Sequence, residues 1–339
     1  MISDINRRFT LKIRPETLPG PEHFALEEVS HPDFAPGEIR VRALYHALSP
    51  WQGQRLKDFK NYTRPFEIGE LIDGDVLGEV IEAGADANLK PGQLVTGRLG
   101  WQDYAVAPAE ALVKVSAEFD PTLWLTALSS PGLTAYTALD LFGRCLPGQS
   151  MVVTSAAGSV GGYAVQLGKL AGMHVVGVAG GPDKCRHVTD VLGADSCIDH
   201  AAEGFAEALS AALPDGAHQV FDTTGGPIAD RVFDNIAKHA RVLIVGRTAS
   251  NNSDRPDLDP VNMRLLWARE ANVHGFSRYS YPERWAFARD RMMALCRDGR
   301  LTANHNTLEG FEILPQALHD MLAGKFIGKV LVRCAERGA

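Results

Sequence analysis

Small residues are concentrated in the turn at positions 155–162, which reads Ser-Ala-Ala-Gly-Ser-Val-Gly-Gly and lies between an apolar run and a helical pattern. A dinucleotide needs such a turn, because backbone N–H groups bind its pyrophosphate and only small side chains leave them accessible. The spacing A-x-G-x-x-G matches the dinucleotide fingerprint, with alanine in the first position. The alternative is a glycine-rich turn that only helps a helix to pack on a sheet. The predicted phosphate-binding residues are Ala156, Ala157, Gly158, Ser159, Val160 and Gly161.

The end of the next predicted strand indicates which dinucleotide is bound. NAD enzymes usually carry Asp or Glu there, because a carboxylate binds the ribose hydroxyls. Residues 178–182 contain no acid, and Lys184 and Arg186 follow shortly afterwards. Both cations could contact a 2′-phosphate, and arginine offers a bidentate fork. The alternative for both is a solvated first helical turn, and Asp183 could simply cap that helix. The pattern favours NADP(H).

The residues that commonly ligate zinc are scattered along the chain. Catalytic zinc needs a set of Cys, His and carboxylate ligands, and structural zinc needs closely spaced cysteines. His46 and His200 are isolated, no C-x-x-C pair occurs, and no G-x-S-x-G elbow is present. The sequence therefore predicts a metal-free protein. An odd number of dispersed cysteines is also typical of a reduced, cytoplasmic protein. These cysteines are Cys145, Cys185, Cys197, Cys296 and Cys334.

Strand and helix patterns alternate around the glycine-rich turn, which predicts a doubly wound parallel sheet with both faces covered. The first third of the chain instead shows short, closely spaced strands, the pattern of a small barrel or sandwich. The predicted strands of the alternating region are 151–154, 174–178, 196–199, 219–222 and 241–245, and its predicted helices are 160–170, 183–192, 205–213 and 228–236.

Length and charge limit the functional classes. A chain of 339 residues is longer than one hydrophobic core usually organises, so two domains are expected. The net charge of -7 and the absence of a long basic run argue against nucleic acid as a partner. No apolar stretch approaches membrane-spanning length and the start has no signal-peptide pattern, so no membrane association and a cytoplasmic location are expected.

Three further stretches make a family resemblance visible, at residues 130–136, 175–187 and 321–330. They read SPGLTAY, VVGVAGGPDKCRH and MLAGKFIGKV. From about residue 6 to residue 334 the chain resembles the medium-chain dehydrogenase/reductase superfamily. It is most similar to the zinc-independent branch of alkenal, prostaglandin and curcumin double-bond reductases.

The resemblance implies a fold of the α/β class, with a Rossmann domain and a GroES-like β-barrel catalytic domain. The expected boundaries are 1–123 for the catalytic domain, 124–296 for the NADP-binding domain and 297–339 for the return to the catalytic domain. A homodimer is implied as well. The implied reaction is NADPH-dependent reduction of the C=C bond of an α,β-unsaturated ketone or aldehyde, by hydride transfer to the β-carbon. The alternatives are an NADPH-dependent quinone reductase and an NADP-binding protein without turnover.

The resemblance also implies roles for individual residues. Lys184 matches the family's lysine on the 2′-phosphate, and His200 stands where many members have a tyrosine near the adenine ribose. Residues 276–278 match the segment beside the nicotinamide. The remaining implied cofactor residues, with that segment written out, are Thr134, Thr223, Gly246, Phe276, Ser277, Arg278 and Phe326.

The substrate side departs from the family pattern. Asn251 replaces a tyrosine that touches the substrate carbonyl in the family, and Tyr279 is a second candidate for that role. Where members with catalytic zinc carry Gly-His-Glu, this chain has Gly-Asp-Val at 74–76. Three aromatic residues of the first third are expected either to line the substrate cleft or to pack in a core. They are Trp51, Tyr62 and Trp101.

Overall fold

The computed structural model describes residues 5–58, 64–251 and 263–337, and for residues 250, 251 and 263 it describes the backbone alone. The chain divides into two compact units. Unit 1 comprises Met1–Leu125 and His305–Ala339, and unit 2 comprises Thr126–Asn304. The boundaries expected from the sequence were 123/124 and 296/297. The chain returns to unit 1 at residue 305, where a strand of that unit begins.

Strands and helices of the described residues are numbered here in chain order. The strands are β1 (Ile5–Leu11), β2 (Phe24–Ser30), β3 (Glu38–Leu48), β4 (Asp75–Ala83), β5 (Leu94–Arg98), β6 (Tyr104–Pro108), β7 (Val113–Lys114), β8 (Ser150–Thr154), β9 (His174–Ala179), β10 (Ser196–Asp199), β11 (Ala217–Asp222), β12 (Ile236–Ile244), β13 (Asn272–Gly275), β14 (His305–Glu309) and β15 (Lys329–Arg333). The helices are α1 (Pro50–Leu56), α2 (Ser130–Phe142), α3 (Gly161–Leu170), α4 (Pro182–Arg186), α5 (Phe205–Ala212), α6 (Gly226–Phe233), α7 (Thr248–Asn251), α8 (Met263–Ala268), α9 (Trp285–Arg297) and α10 (Leu314–Leu322).

Unit 1 is built mainly from antiparallel strands. β1 and β2 form a two-stranded ribbon, and a larger sheet has the order β14-β15-β3-β4-β5-β7 with β6 beside β3. Within the described residues no pairing joins β14 to β7, so the hydrogen-bonded strands form an open sheet. Apolar side chains from both chain segments fill the core of the unit, among them Phe9, Phe66, Phe311 and Leu318.

Unit 2 contains a six-stranded sheet in the order β10-β9-β8-β11-β12-β13, and every strand pair in it is parallel. This is the doubly wound Rossmann order, with the first half of the sheet running outwards from β8 and the second half from β11. Its central strands are buried on both faces, which explains why they appear in the sequence as continuous apolar runs. Examples are Val152, Val176, Val220 and Val242.

The predicted element limits in unit 2 depart from the structure around α6 and β12. The helix predicted to reach residue 236 ends at Phe233, and β12 begins at Ile236 rather than at residue 241. His239 has a φ of 60°, and the register between β11 and β12 shifts in the same region. A bulge of this kind lengthens a strand through polar residues that sequence periodicity assigns to a loop.

None of the helices formed by the described residues is both long and apolar enough to cross a bilayer.

Candidate dinucleotide site

The turn between β8 and α3 is held in a tight conformation by its own backbone. Ser155 takes up a φ of 48°, and the N–H of Gly158 donates to the Ser155 carbonyl at 2.8 Å. The N–H of Ala156 donates to the carbonyl of Val178 on β9 at 3.0 Å. The turn is therefore fixed to the carboxyl ends of two neighbouring strands, which is where doubly wound sheets bind nucleotides.

Two glycines of the fingerprint have little room for a side chain. A Cβ on Gly161 would lie 2.9 Å from the carbonyl carbon of Ser155, and a Cβ on Gly158 would lie 2.8 Å from the Ser155 hydroxyl oxygen. Both distances are shorter than real Cβ atoms tolerate. The first turn of α3 can therefore lie directly against the end of β8. This arrangement presents the N–H groups and positive dipole end of a ten-residue helix to a bound phosphate. The turn fits a dinucleotide.

Alanine in the first fingerprint position has a structural compensation. Ala156 is fully buried, and its Cβ lies 3.0 Å from the place that a Cβ on Gly177 would occupy. Gly177 is in β9, so the neighbouring strand provides the room for the methyl group. The departure from G-x-G-x-x-G is accommodated within the sheet and does not change the course of the turn.

A buried carboxylate joins β11 to β8 where the strand order reverses. Asp222 Oδ1 accepts from the Thr154 hydroxyl at 2.5 Å and from the N–H of Thr224 at 3.0 Å, and both Asp222 oxygens accept from the N–H of Gly225. Burial raises the pKa of Asp222, and these hydrogen bonds oppose that shift. The loop that carries Thr223 is fixed as a result.

Thr223 and Gly246 meet at this same edge of the sheet. Two hydrogen bonds to Thr154 fix the orientation of Thr223. Its hydroxyl donates to the Thr154 carbonyl at 3.1 Å, and its N–H donates to the Thr154 hydroxyl at 2.9 Å. A Cβ on Gly246 would lie 3.1 Å from the Thr223 carbonyl oxygen. The two predicted cofactor residues are thus adjacent at the carboxyl ends of β11 and β12.

The tip of β9 carries the cations that were predicted to meet a 2′-phosphate. Lys184 lies in α4 and is partly buried, and this burial lowers its pKa. Arg186 is exposed and forms an ion pair with Asp183 in the same helix. His200 also lies at this tip, with its Nε2 2.9 Å from where a Cβ on Gly180 would be. His200 and the β9 tip are therefore in contact.

The segment predicted to lie beside the nicotinamide packs against the start of α2. Phe276 is buried and stacks on Tyr281 with a centroid distance of 5.7 Å. The Arg278 guanidinium lies 4.6 Å from the ring centroids of both Tyr279 and Trp285, and its Nε donates to the Ser130 hydroxyl at 3.1 Å. Ser130 begins α2, the helix that carries the predicted cofactor residue Thr134, and Ser277 precedes Arg278 on the surface.

Tyr279 and Asn251 are the two candidate hydrogen-bond donors to a substrate. The Tyr279 side chain is half exposed, with one ring face under Arg278 and its ring edge-on to Trp285. Asn251 ends α7, whose backbone is tied to the Thr223 and Thr224 carbonyls. The Asn251 side chain lies outside the described residues.

The aromatic residues predicted for a cleft are in unit 1. Trp101 is fully buried and packs against Phe9 and Phe24 at centroid distances of 6.1 and 5.5 Å, which places its indole in the core rather than on a surface. Trp51 and Phe326 are partly buried against the same core. Tyr62 lies outside the described residues.

Comparisons with known proteins were made over the whole chain. Residues 7–115 match a family model described as the N-terminal domain of oxidoreductase, and residues 159–293 match one described as zinc-binding dehydrogenase. The chain is 35% identical to the NADPH-dependent curcumin reductase of Escherichia coli (strain K12), with 97% of each chain covered. This chain belongs to the double-bond reductase branch of the medium-chain dehydrogenase/reductase superfamily.

Other members of this branch extend the similarity. Prostaglandin reductase 1 of Sus scrofa is 29% identical, with 96% of this chain and 98% of the relative covered. The crystal structure of CurA from Vibrio vulnificus in complex with NADPH superposes with a TM-score of 0.91 at 31% identity, covering 97% of this chain and 99% of that one. The Rossmann order of unit 2 is therefore found in a relative whose structure contains NADPH.

One of the matched family models is described as a zinc-binding dehydrogenase, which raises the question of whether this chain has the side chains to bind zinc. No group of three or more His, Cys, Asp or Glu side chains in the described part of the chain could hold a metal ion. His46 lies in β3, fully buried beside Phe311, and neither ring nitrogen has a hydrogen-bond partner among the described residues. Burial lowers the pKa of His46 to about 3, so its ring is neutral.

Sequence reasoning missed one residue at this site. Asp199, the last residue of β10, accepts hydrogen bonds from the loop that follows β9. The available signal was an acid at the end of the strand that follows the acid-free tip.

Proposed function

We propose that this chain catalyses the NADPH-dependent reduction of the C=C bond of an α,β-unsaturated ketone or aldehyde. The observation that carries the proposal is the similarity, over 97% of both chains, to an NADPH-dependent curcumin reductase. The fitted β8–α3 turn and the structural likeness to a CurA–NADPH complex support the same conclusion.

The described residues of unit 2 have the chemistry to hold each part of the dinucleotide. The N–H groups around Gly158 and Gly161 would bind the pyrophosphate. Lys184 and Arg186 would neutralise the 2′-phosphate, and the absence of an acid at the tip of β9 avoids repelling it. Residues 276–278 would border the nicotinamide. When bound, NADPH supplies the hydride, and the protein supplies orientation and charge stabilisation.

Reduction at the β-carbon places negative charge on the substrate's carbonyl oxygen. A hydrogen-bond donor in a water-poor site stabilises that charge, since it is fixed before the charge develops. We propose that Asn251 or Tyr279 is this donor, because Asn251 follows the loop at the switch point and Tyr279 follows the nicotinamide-side segment. The α-carbon then takes its proton from water.

Isotope transfer tests the reaction. NADPH that carries deuterium at the transferable position should deliver the label to the β-carbon of an enone, and solvent deuterium should appear at the α-carbon. Deuterium at the carbonyl carbon, with an allylic alcohol as product, would show a carbonyl reductase instead. Turnover of benzoquinone but of no enone or enal would identify a quinone reductase. NADPH binding without turnover of any of these compounds would identify a non-catalytic NADP-binding protein.

We also propose that the chain forms a homodimer through unit 2. β13 is an edge strand, and on its outer side it has no partner among the described strands. Val273 on this edge is 40% exposed, and Trp267 just before it is 80% exposed. An apolar edge of this kind is a template for pairing with a second copy. Light scattering after size exclusion should give twice the chain mass, and Val273→Lys should give the monomer.

A cytoplasmic location is proposed on the chemistry of the cysteines. All five are free in the structure, as is usual in a reducing compartment. Cell fractionation would test the location directly.

A further inference from the structure

The loop that leads from β9 into α4 is anchored by a carboxylate from the neighbouring strand. β9 and β10 are parallel, and Asp199 is in register with Ala179, so the two strands end side by side. Asp199 Oδ1 accepts from the N–H of Gly181 at 2.9 Å and from the N–H of Ala201 at 2.9 Å. One oxygen atom therefore joins the tip of β9 to the tip of β10.

Two contacts of the next residue strengthen this connection. The N–H of His200 donates to the Ala179 carbonyl at 3.0 Å. The His200 ring lies so close to Gly180 that a Cβ there would approach its Nε2 to 2.9 Å. Residues 199 and 200 thus hydrogen-bond to Ala179 and Gly181 and lie against Gly180 between them.

The fixed backbone determines where α4 points. Gly181 has a φ of +88° and immediately precedes α4, whose third residue is Lys184. At 3.6 residues per turn, Lys184 lies in the first turn of α4, so its position depends on the backbone with which that turn begins. A change in the peptide plane at Gly181 would therefore displace the Lys184 ammonium group.

The charge of Asp199 needs an explanation, because a carboxylate near a 2′-phosphate would normally repel it. The hydrogen bonds from Gly181 and Ala201 hold the pKa of Asp199 below its ordinary value, so the group is ionised. Its negative charge faces two backbone N–H groups, which partly neutralise it. An acid in this position could be mistaken in the sequence for a ribose-binding acid of an NAD enzyme, yet its Oδ1 is already used within the protein.

We propose that Asp199 is a positioning residue for NADPH: by holding the N–H of Gly181 it sets α4 so that Lys184 reaches the 2′-phosphate. The proposal rests on the proposed function only through the identity of the cofactor. It assigns the preference for NADPH over NADH partly to a side chain that does not contact the cofactor's phosphate.

Binding measurements show whether Asp199 affects the affinity for the 2′-phosphate or the affinity for the dinucleotide as a whole. Dissociation constants of NADPH, NADH and 2′,5′-ADP would be measured by calorimetry for wild type, Asp199→Ala and Asp199→Asn. Asp199→Ala should weaken NADPH and 2′,5′-ADP by about tenfold and NADH by less than about threefold, since one charge-assisted contact is lost. Asp199→Asn keeps an acceptor oxygen for the two N–H groups and should restore most of the affinity.

A matched control is available at the other end of β9. Asp195 accepts from the N–H of Val175 at 2.6 Å and pairs with Lys169, so Asp195→Ala removes a comparable anchor of the same strand. It should leave the NADPH-to-NADH affinity ratio unchanged. Gly180→Ala, which would push against His200, should lower the ratio as Asp199→Ala does, and it tests the proposal if Asp199→Ala does not fold.

The outcomes distinguish this proposal from the proposed function. An unchanged affinity ratio in Asp199→Ala, or in Gly180→Ala if the former does not fold, would overturn the role of Asp199. The role of Asp199 would also be overturned if Asp199→Asn lost as much NADPH affinity as Asp199→Ala, because the asparagine still provides the acceptor oxygen. A wild-type protein that bound neither NADPH nor 2′,5′-ADP would refute the proposed function itself.

Discussion

His46 makes the stability of unit 1 sensitive to mild acid. The folded protein holds the ring neutral, because burial lowers the His46 pKa from 6.5 to about 3. The unfolded chain takes up the proton as soon as the pH falls below about 6.5. The contribution of His46 is therefore complete above that value and is lost progressively as the pH falls from about 6.5 towards 3.

The magnitude follows from the same two pKa values. At about pH 5 the pH lies roughly 1.5 units below the pKa of the ring in the unfolded chain, so that ring is protonated. The ring in the folded protein is still neutral. Each unit corresponds to about 1.36 kcal/mol, so the free energy of unfolding should fall by roughly 2 kcal/mol through this residue alone. His46→Leu removes the titrating group and also removes two ring nitrogens that have no hydrogen-bond partner in the described part of the chain.

Urea unfolding at about pH 7.5 and about pH 5 provides the assay. Tryptophan fluorescence reports on unit 1 through Trp101, which packs in its core, and on unit 2 through Trp267 and Trp285. Between the two pH values the free energy of unfolding of His46→Leu should fall by roughly 2 kcal/mol less than that of the wild type. Phe311→Leu, a change at the ring beside His46, is the control: it should lower stability equally at both values. Parallel losses in wild type and His46→Leu would refute the reasoning.

Three further changes test the nucleotide and substrate residues. Lys184→Ala should weaken NADPH binding by about tenfold or more and leave NADH binding nearly unchanged, as measured by calorimetry. An equal loss of affinity for both cofactors would contradict a 2′-phosphate contact. Gly161→Ala would force its methyl group against the Ser155 carbonyl, so NADPH affinity and melting temperature should both fall, and retention of both would contradict the tight turn. Asn251→Ala and Tyr279→Phe are each expected to lower turnover without changing NADPH affinity if that residue stabilises the oxyanion. Unchanged steady-state rates in both variants would exclude the two residues as donors.

The Rossmann sheet could be predicted from the sequence because its strands are buried on both faces. Continuous apolar runs such as the one before Ser155 stand out between helical patterns, and the glycine-rich turn marks the strand from which the order reverses. The reason that Ala156 is tolerated was not available, since it depends on Gly177 in the neighbouring strand. Asp199 is visible in the sequence as an acid at a strand end, but residue spacing does not show that its partner is a backbone N–H after the neighbouring strand.

Unit 1 was less accessible to sequence reasoning. Short strands predicted a small β domain, but strand periodicity does not reveal which edges pair, and the described pairing leaves the sheet open. Trp101 shows the same limit at the level of a side chain. An aromatic residue near a turn is equally compatible with a cleft and a core, and only the packing against Phe9 and Phe24 distinguishes them.

The hydrogen bond between Thr154 and Asp222 joins residues that are 68 positions apart in the chain. β8–β10 and β11–β13 are each contiguous, so the two halves of the sheet can assemble locally before this long-range contact forms. The phosphate turn and the Thr223 loop reach their final geometry only when the halves dock. A nucleotide that recognises both would bind after the folding barrier, so it would slow unfolding and leave the folding rate almost unchanged.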